Sequence, residues 1–204
     1  MTDVSMRLRF ASASPFARKV RIAAALAGLE KQVALEPTET REPDEAFLAD
    51  NPLGKIPVLV LADGSSLYDS RVIAEYFDHL AGGGVLIPVE PAARFAALRL
   101  QALCDGIMDA GVSAIYEVRM RPEGERSPGW IARQRGKIGR AVDALEAAGG
   151  PLGPVTIGEI ALAAALGYLD FRFEGAWRAG HPRLVGWLDD FAARVPAFAA
   201  TAPM

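Results

Sequence analysis

The sequence predicts a small mixed α/β domain followed by an all-helical domain, and three observations predict it. Up to Leu80, short apolar runs of strand length alternate with amphipathic runs of helical period. From Ala81 to Pro91 the chain reads A-G-G-G-V-L-I-P-V-E-P, which stops a helix and blocks another until the last proline. Beyond Pro91 every apolar run has helical spacing. The 204 residues therefore divide into a first domain over 1–81, a linker over 82–91 and a helical domain over 92–204, with enough chain for a sizeable core.

Arg7 to Ala11 is a short strand. Ser14 then caps a helix opened by Pro15, on which Phe16, Val20, Ala23, Ala24 and Ala27 share a face before Gly28 ends it. Gln32 to Glu36 is a second strand, so the three elements make a right-handed parallel crossover. Pro43 to Asp50 supplies a short irregular helix. Val58 to Leu61 is a buried strand, Asp63-Gly64 a hairpin turn, and Ser65 to Tyr68 the returning antiparallel strand. Asp69-Ser70 starts another helix, on which Val72, Ile73, Tyr76, Phe77 and Leu80 are expected to face the sheet. This is a thioredoxin-like order. In the second domain helices are expected over Ala92 to Met120, Trp130 to Ala148, Glu159 to Phe171 and Arg183 to Val195. Thr156-Ile157-Gly158-Glu159 is a capping box, with Val155 and Ile160 as its hydrophobic staple. The run Ile160 to Leu166 is apolar all round, as the central helix of a bundle must be.

The stretch Asn51 to Ile73 says most about function. A helix N-terminus carrying a serine hydroxyl binds a carboxylate, and the adjacent Asp69 takes an ammonium group, so Asp69 and Ser70 together suit an amino-acid head group. A cis Ile56-Pro57 bond would turn the N–H and C=O of Ile56 outward, where they can pair with a peptide backbone. The combination describes a site for a short γ-linked peptide. The run N-P-L-G-K-I-P-V with a following D-S helix start resembles the glutathione-binding half of glutathione transferases, and the resemblance extends over nearly the whole chain. It implies that glutathione is a cosubstrate held by Lys55, Ile56, Pro57, Asp69 and Ser70, with Lys55 near the glycyl carboxylate. The same family has a capping box in its helical domain, usually with Asp where this chain has Glu159.

Ser14, in the run S-P-F-A, occupies the place of the nucleophilic cysteine in C-P-x-x sequences and in cysteine-type relatives. A serine there forms no mixed disulfide, but it can donate a hydrogen bond to the glutathione sulfur and favour the thiolate. A charge-assisted bond of about 1.5 to 3 kcal/mol lowers a thiol pKa by about one to two units. Ser12 is the competing hydroxyl. Phe16, Met108, Tyr116, Arg119 and Trp177 are expected to cluster near Ser14 as the electrophile pocket if the long helix after the linker passes over the first domain. Arg18 and Lys19 face either an anion or solvent. The expected function is a glutathione transferase; the alternative is a non-catalytic glutathione-binding or regulatory protein of the same fold.

Composition narrows the partners. A net charge of −3 gives no broad basic field for nucleic acid or an anionic membrane. The single cysteine, Cys104, excludes an internal disulfide and reads as a buried thiol. His79 and His181 have no third ligand at metal-like spacing, so no metal site is expected. The N-terminus lacks an apolar leader and no long uncharged span appears, which favours a cytoplasmic address. The basic run Arg133, Arg135, Lys137 and Arg140 reads as a solvated face. The first helix after the linker carries Leu100, Leu103, Ile107 and Ala110 on one stripe and Leu98, Ala102 and Asp109 on another. The resemblance to glutathione transferases implies a homodimer built across this helix and the hairpin domain, with Asp105 reaching the partner's glutathione.

Overall fold

The computed structural model describes residues 5–151 and 153–203. The first domain contains strand β1 (Met6–Phe10), helix α1 (Pro15–Leu26), β2 (Val33–Pro37), α2 (Glu45–Asp50), β3 (Val58–Val60), β4 (Ser66–Leu67) and α3 (Ser70–Leu80). The sheet order is β2-β1-β3-β4. β1 and β2 are parallel with Leu8 opposite Leu35, while β3 runs antiparallel to β1 with Leu59 opposite Leu8, and β4 antiparallel to β3. The crossover through α1 is what allows the parallel pair, and the Asp63-Gly64 turn allows the antiparallel one. Asp63 closes that turn by accepting from the Ser65 N–H at 2.9 Å.

The sheet face of α3 is narrower than its spacing suggests. Ile73, Ala74 and Phe77 are buried, but Val72 and Leu80 are 45% and 42% exposed. Val72 points away from the buried stripe, and Leu80 is the last residue of the helix. This corrects the expectation that all five apolar residues face inward.

The second domain contains α4 (Pro91–Met120), α5 (Pro128–Ala148), α6 (Ile157–Phe173), α7 (Pro182–Arg194) and a short α8 (Pro196–Ala200). Two single turns of 3₁₀ helix, Glu123–Glu125 and Ala176–Arg178, interrupt its connections, and α8 follows α7 after a break at Val195-Pro196, where proline denies the helix a donor. From Ile160 through Leu166 every residue of α6 is fully buried. α4 approaches α6 so closely that a Cβ at Gly158 would lie 2.9 Å from the Ala97 carbonyl oxygen. The capping box forms as expected, the Thr156 N–H donating to Glu159 at 2.8 Å and the Gly158 N–H to Thr156 Oγ1 at 3.2 Å. One buried cluster, running from Met6 through Phe77, Ile107 and Leu162 to Val195, spans both domains.

The glycine-rich linker is tied down by Asp78. Its carboxylate accepts from the N–H groups of Gly84 at 3.1 Å, Leu86 at 2.6 Å and Ile87 at 3.2 Å. Leu86 in turn accepts from the Ile157 N–H at 2.8 Å, fastening the linker to the start of α6. Leu86 and Ile87 are thereby buried among the core residues.

Candidate functional site

Ser14 is the N-cap of α1. Its Oγ accepts from the Ala17 N–H at 3.2 Å, and its own N–H donates to the Ala11 carbonyl at 3.0 Å. Capping uses a lone pair of the hydroxyl and leaves its proton free to be donated elsewhere. A small cavity opens here, lined by Ser12, Ser14, Arg18, Ala164, Tyr168 and Pro203. Both candidate hydroxyls therefore border the same space, and only Ser14 adds the helix N-terminus.

Tyr168 was not singled out by the sequence, because it sits in a helix whose other residues are apolar. Its ring is 5% exposed and packs against Gly111 of α4, where a Cβ would meet it at 3.0 Å. Burial pushes the phenol up to about 12, with Arg172 and Arg119 pulling the other way and Tyr116 adding to the rise. It is a neutral hydroxyl at physiological pH. Tyr116 and Arg119, both exposed, thus belong to the surroundings of a residue that borders Ser14. Phe16, two residues after Ser14, is half-buried and packs against the core.

Two expected wall residues go elsewhere. Met108 has no exposed surface and is part of the core between α4 and its neighbours, so it cannot touch a substrate in this arrangement. Trp177 lines a different cavity, between α5 and the end of α6, and its Nε1 donates to Asp170 at 2.8 Å. Spacing alone could not decide either case, since α4, which carries Met108, is apolar on several sides and Trp177 lies in a single turn after α6 that has no periodicity to read.

The loop ahead of Pro57 is built by Asn51, which is 2% exposed. Its Nδ2 donates to the Lys55 carbonyl at 2.8 Å and its Oδ1 accepts from the Leu53 N–H at 3.1 Å, while Gly54 takes φ +59° to complete the turn. Lys55 is left exposed at the tip. The Ile56-Pro57 bond is cis, Pro57 is buried, and Ile56 precedes the paired stretch of β3, which begins at Val58. Asp69 caps α3 by accepting from the Arg71 N–H at 2.9 Å and is exposed, whereas Ser70 is 2% exposed.

Behind this face lies a buried charge cluster. Lys19 of α1, with no exposed surface, donates to Asp105 of α4 at 2.7 Å, and Arg71 of α3 donates to the other oxygen of Asp105 at 2.8 Å. Burial pulls the Lys19 ammonium down, and Asp105 holds it up. Asp105 is thus committed to its own chain, which corrects the expectation that it reaches a partner's ligand. Lys19 faces neither solvent nor a free anion. Arg18 is also buried: its Nη2 donates to the Phe198 carbonyl at 2.7 Å and its guanidinium stacks 4.0 Å from the Phe198 ring, with burial lowering it to about 10. The carboxyl of Asp109, on α4, is raised by desolvation and by Asp105, with Arg71 and Lys55 opposing. Burial also drives up the Cys104 thiol, which leaves it inert as a nucleophile. Among the described residues no group of three or more His, Cys, Asp or Glu side chains could hold a metal ion, and no helix is long and apolar enough to cross a membrane.

A four-stranded mixed sheet of order β2-β1-β3-β4, with a serine capping α1 and a cis-proline ahead of β3, followed by an all-helical domain, defines a thioredoxin-like domain with a helical partner. Sequence comparison makes the assignment specific. The glutathione S-transferase N-terminal domain matches residues 13–80 and the glutathione S-transferase C-terminal domain residues 128–190. The chain is 36% identical over 205 residues to the uncharacterized GST-like protein YibF of Escherichia coli (strain K12), covering 97% of this chain and 98% of that protein. It also superposes on a glutathione transferase family member from Pseudomonas fluorescens Pf-5 with bound glutathione, at TM-score 0.90 and 42% identity, covering 98% and 100% of the two chains. A glutathione S-transferase from Methylobacillus flagellatus KT with glutathione bound matches at TM-score 0.90 and 37% identity with the same coverage. The chain belongs to the glutathione S-transferase family.

Proposed function

We propose that the protein is a glutathione transferase in which Ser14 stabilises the thiolate of bound glutathione for attack on a small electrophile. The observation that carries this reading is the Ser14 hydroxyl itself, held at a helix N-terminus as the cap of α1 and donating its proton to no group among the described residues. Asp69 and Ser70 at the start of α3 hold the γ-glutamyl head, Ile56 beside Pro57 pairs with the peptide backbone, and Lys55 meets the glycyl carboxylate. The glutathione bound in the two structural relatives supports the choice of peptide. Phe16, Tyr116 and Arg119 form the electrophile side together with Tyr168, whose retained proton makes it a hydrogen-bond donor to a developing negative charge. Residues 1–81 supply the glutathione half and 92–204 the electrophile half.

In this mechanism the glutathione thiol loses its proton to solvent, the thiolate is held by the Ser14 O–H and the positive end of α1, and sulfur attacks the electrophile carbon as the leaving group departs. The test is the ultraviolet thiolate signal of bound glutathione. Its midpoint is expected well below the ordinary thiol value of about 8.5, and Ser14→Ala should raise it by about one to two units with little change in affinity. A wild-type midpoint equal to that of free glutathione would favour a non-catalytic glutathione-binding protein, and a shift on Ser12→Ala alone would move the role to Ser12. We further propose a cytoplasmic homodimer acting in detoxification. Val72 of α3, Phe95 and Leu103 of α4, and Tyr68 just ahead of α3 support the dimer: they are apolar or aromatic and 37–68% exposed.

A further inference from the structure

α4 and α6 run side by side in one direction. A Cβ at Gly158, near the start of α6, would touch Ala97 and Leu100 of α4, and a Cβ at Gly111 of α4 would lie 3.0 Å from the Tyr168 ring and 3.6 Å from that of Phe173. The C-terminal ends of the two helices therefore come together, and each brings an arginine, Arg119 on α4 and Arg172 on α6. Arg172 follows Tyr168 by one helical turn, on the same face. Burial raises the Tyr168 phenol, and the charges of Arg172 and Arg119 both act against that rise.

Neither arginine has a counter-ion among the described residues. The carboxylates nearest in sequence are engaged elsewhere: Glu117 accepts from Arg121 and from the Ser127 N–H, and Asp170 accepts from Arg178 and from the Trp177 indole. Glu174 is exposed past the end of α6. The Arg172 guanidinium lies 4.1 Å from the centroid of the Phe171 ring, and its Nε is buried with no hydrogen-bond partner. A guanidinium donates at every nitrogen and accepts at none, so a buried unpaired N–H on it is costly until an acceptor from outside the chain meets it.

Tyr168 ties this pair to the chemistry. It is 5% exposed and borders the small cavity that Ser12 and Ser14 also line, so a single side chain links the two cations to the neighbourhood of Ser14. We infer that the electrophile carries a carboxylate, which Arg119 and Arg172 bind while its reacting carbon meets the glutathione sulfur, and that this pair selects the substrate. The planar fork of a guanidinium matches a carboxylate in shape as well as in charge, and the ligand supplies the acceptor that the Arg172 Nε lacks. A neutral electrophile of the same shape leaves both cations unmet.

The inference rests on the proposed glutathione site but not on thiolate stabilisation by Ser14, because it can be tested with conjugates that have no thiol. The test is calorimetric titration of the full chain with two conjugates of equal length, S-(2-carboxyethyl)glutathione and its amide, S-(2-carbamoylethyl)glutathione. The acid is expected to bind roughly tenfold more tightly than the amide, and this preference should fall to about twofold or less in Arg119→Gln and in Arg172→Gln. Arg119 is exposed, so its replacement does not disturb the core, and titration with S-methylglutathione, whose methyl group carries no charge, checks that both variants keep the glutathione site. Equal affinities of acid and amide, or a preference undiminished in Arg119→Gln, would overturn the inference and leave the glutathione site standing. Failure of S-methylglutathione to bind the wild type would instead overturn the glutathione reading, and the inference with it.

Discussion

Ser14 carries two roles on one oxygen, and they can be separated by measurement. Its lone pair caps α1 and its proton is offered to sulfur, so Ser14→Ala also loses a cap worth about 1 kcal/mol. That loss appears as a modestly lower melting temperature, whereas the shift of the thiolate midpoint has no structural origin. Asp69 presents the same problem, since its carboxylate caps α3 at Arg71. Asp69→Asn keeps an oxygen for the cap and removes the charge, so its expected effect is weaker glutathione binding by about 1.5 to 3 kcal/mol in calorimetry with the melting temperature little changed. Unchanged affinity would remove Asp69 from the head-group site. These residues were legible in the sequence because a cap is local: Ser14-Pro15 and Asp69-Ser70 announce a helix start and what its free N–H groups can hold. Asp105, Met108 and Trp177 were not legible, because their environment depends on which side of a helix meets a distant element. A lone aspartate on an apolar stripe gives no sign that a lysine 86 positions earlier will enclose it.

Helix ends show how the elements fix one another. The N-terminus of α7 has no cap from its own residues; Glu146 of α5 accepts from the Arg183 and Leu184 N–H groups at 3.0 and 2.9 Å. The thirty-seven-residue separation hides such a cap from any sequence pattern, while the Thr156–Glu159 box, closed within four residues, could be read directly. His181, just ahead of α7, is likewise held by residues of other elements. Burial alone would lower its pKa, but Asp143 and the Trp177 carbonyl outweigh burial and raise it above the ordinary 6.5. Both ring nitrogens face acceptors, so only the imidazolium satisfies both. A raised folded-state value means that this stabilisation is fully present below about pH 6.5 and fades as pH rises through the folded value. The melting-temperature gap between wild type and His181→Asn should therefore narrow from about pH 5.5 to about pH 8.5, and a gap that widened would invert the assignment.

The whole molecule is held together at a joint made of charge as well as of apolar packing. The Lys19–Asp105–Arg71 cluster links α1, α4 and α3 across the two domains. Removing Asp105 leaves a buried ammonium without its partner, so Asp105→Leu is expected to destabilise the protein by about 3 to 5 kcal/mol in urea unfolding, whereas Lys19→Met with Asp105→Leu should recover much of that loss. The exposed apolar side of α3 and α4 sets a second expectation at this scale: sedimentation at micromolar concentration should give a species of twice the 21.7 kDa chain, and a monomer alone would refute the dimer. The boundary between strand-period and helix-period segments was visible in the sequence because periodicity survives without tertiary information. The burial of Leu86 and Ile87 was not, since a run of three glycines followed by Val85 gives no hint that Asp78 will gather the next N–H groups around one carboxylate.

The seclusion of Lys19 and Asp105 has a consequence for how the protein answers its solvent. Dissolved ions weaken an attraction only where they can gather around it, and here they have no approach to either charge. A bridge such as Arg94–Glu75, open to water on both sides, dims as electrolyte is added, while the Lys19–Asp105 bond between α1 and α4 goes on feeling nearly the same field. The relative placement of Ser14, on α1, and α4, which carries Tyr116 and Arg119, is in this sense insulated from the ionic composition of the surroundings, even as the reach of the exposed Lys55 toward a charged ligand rises and falls with it.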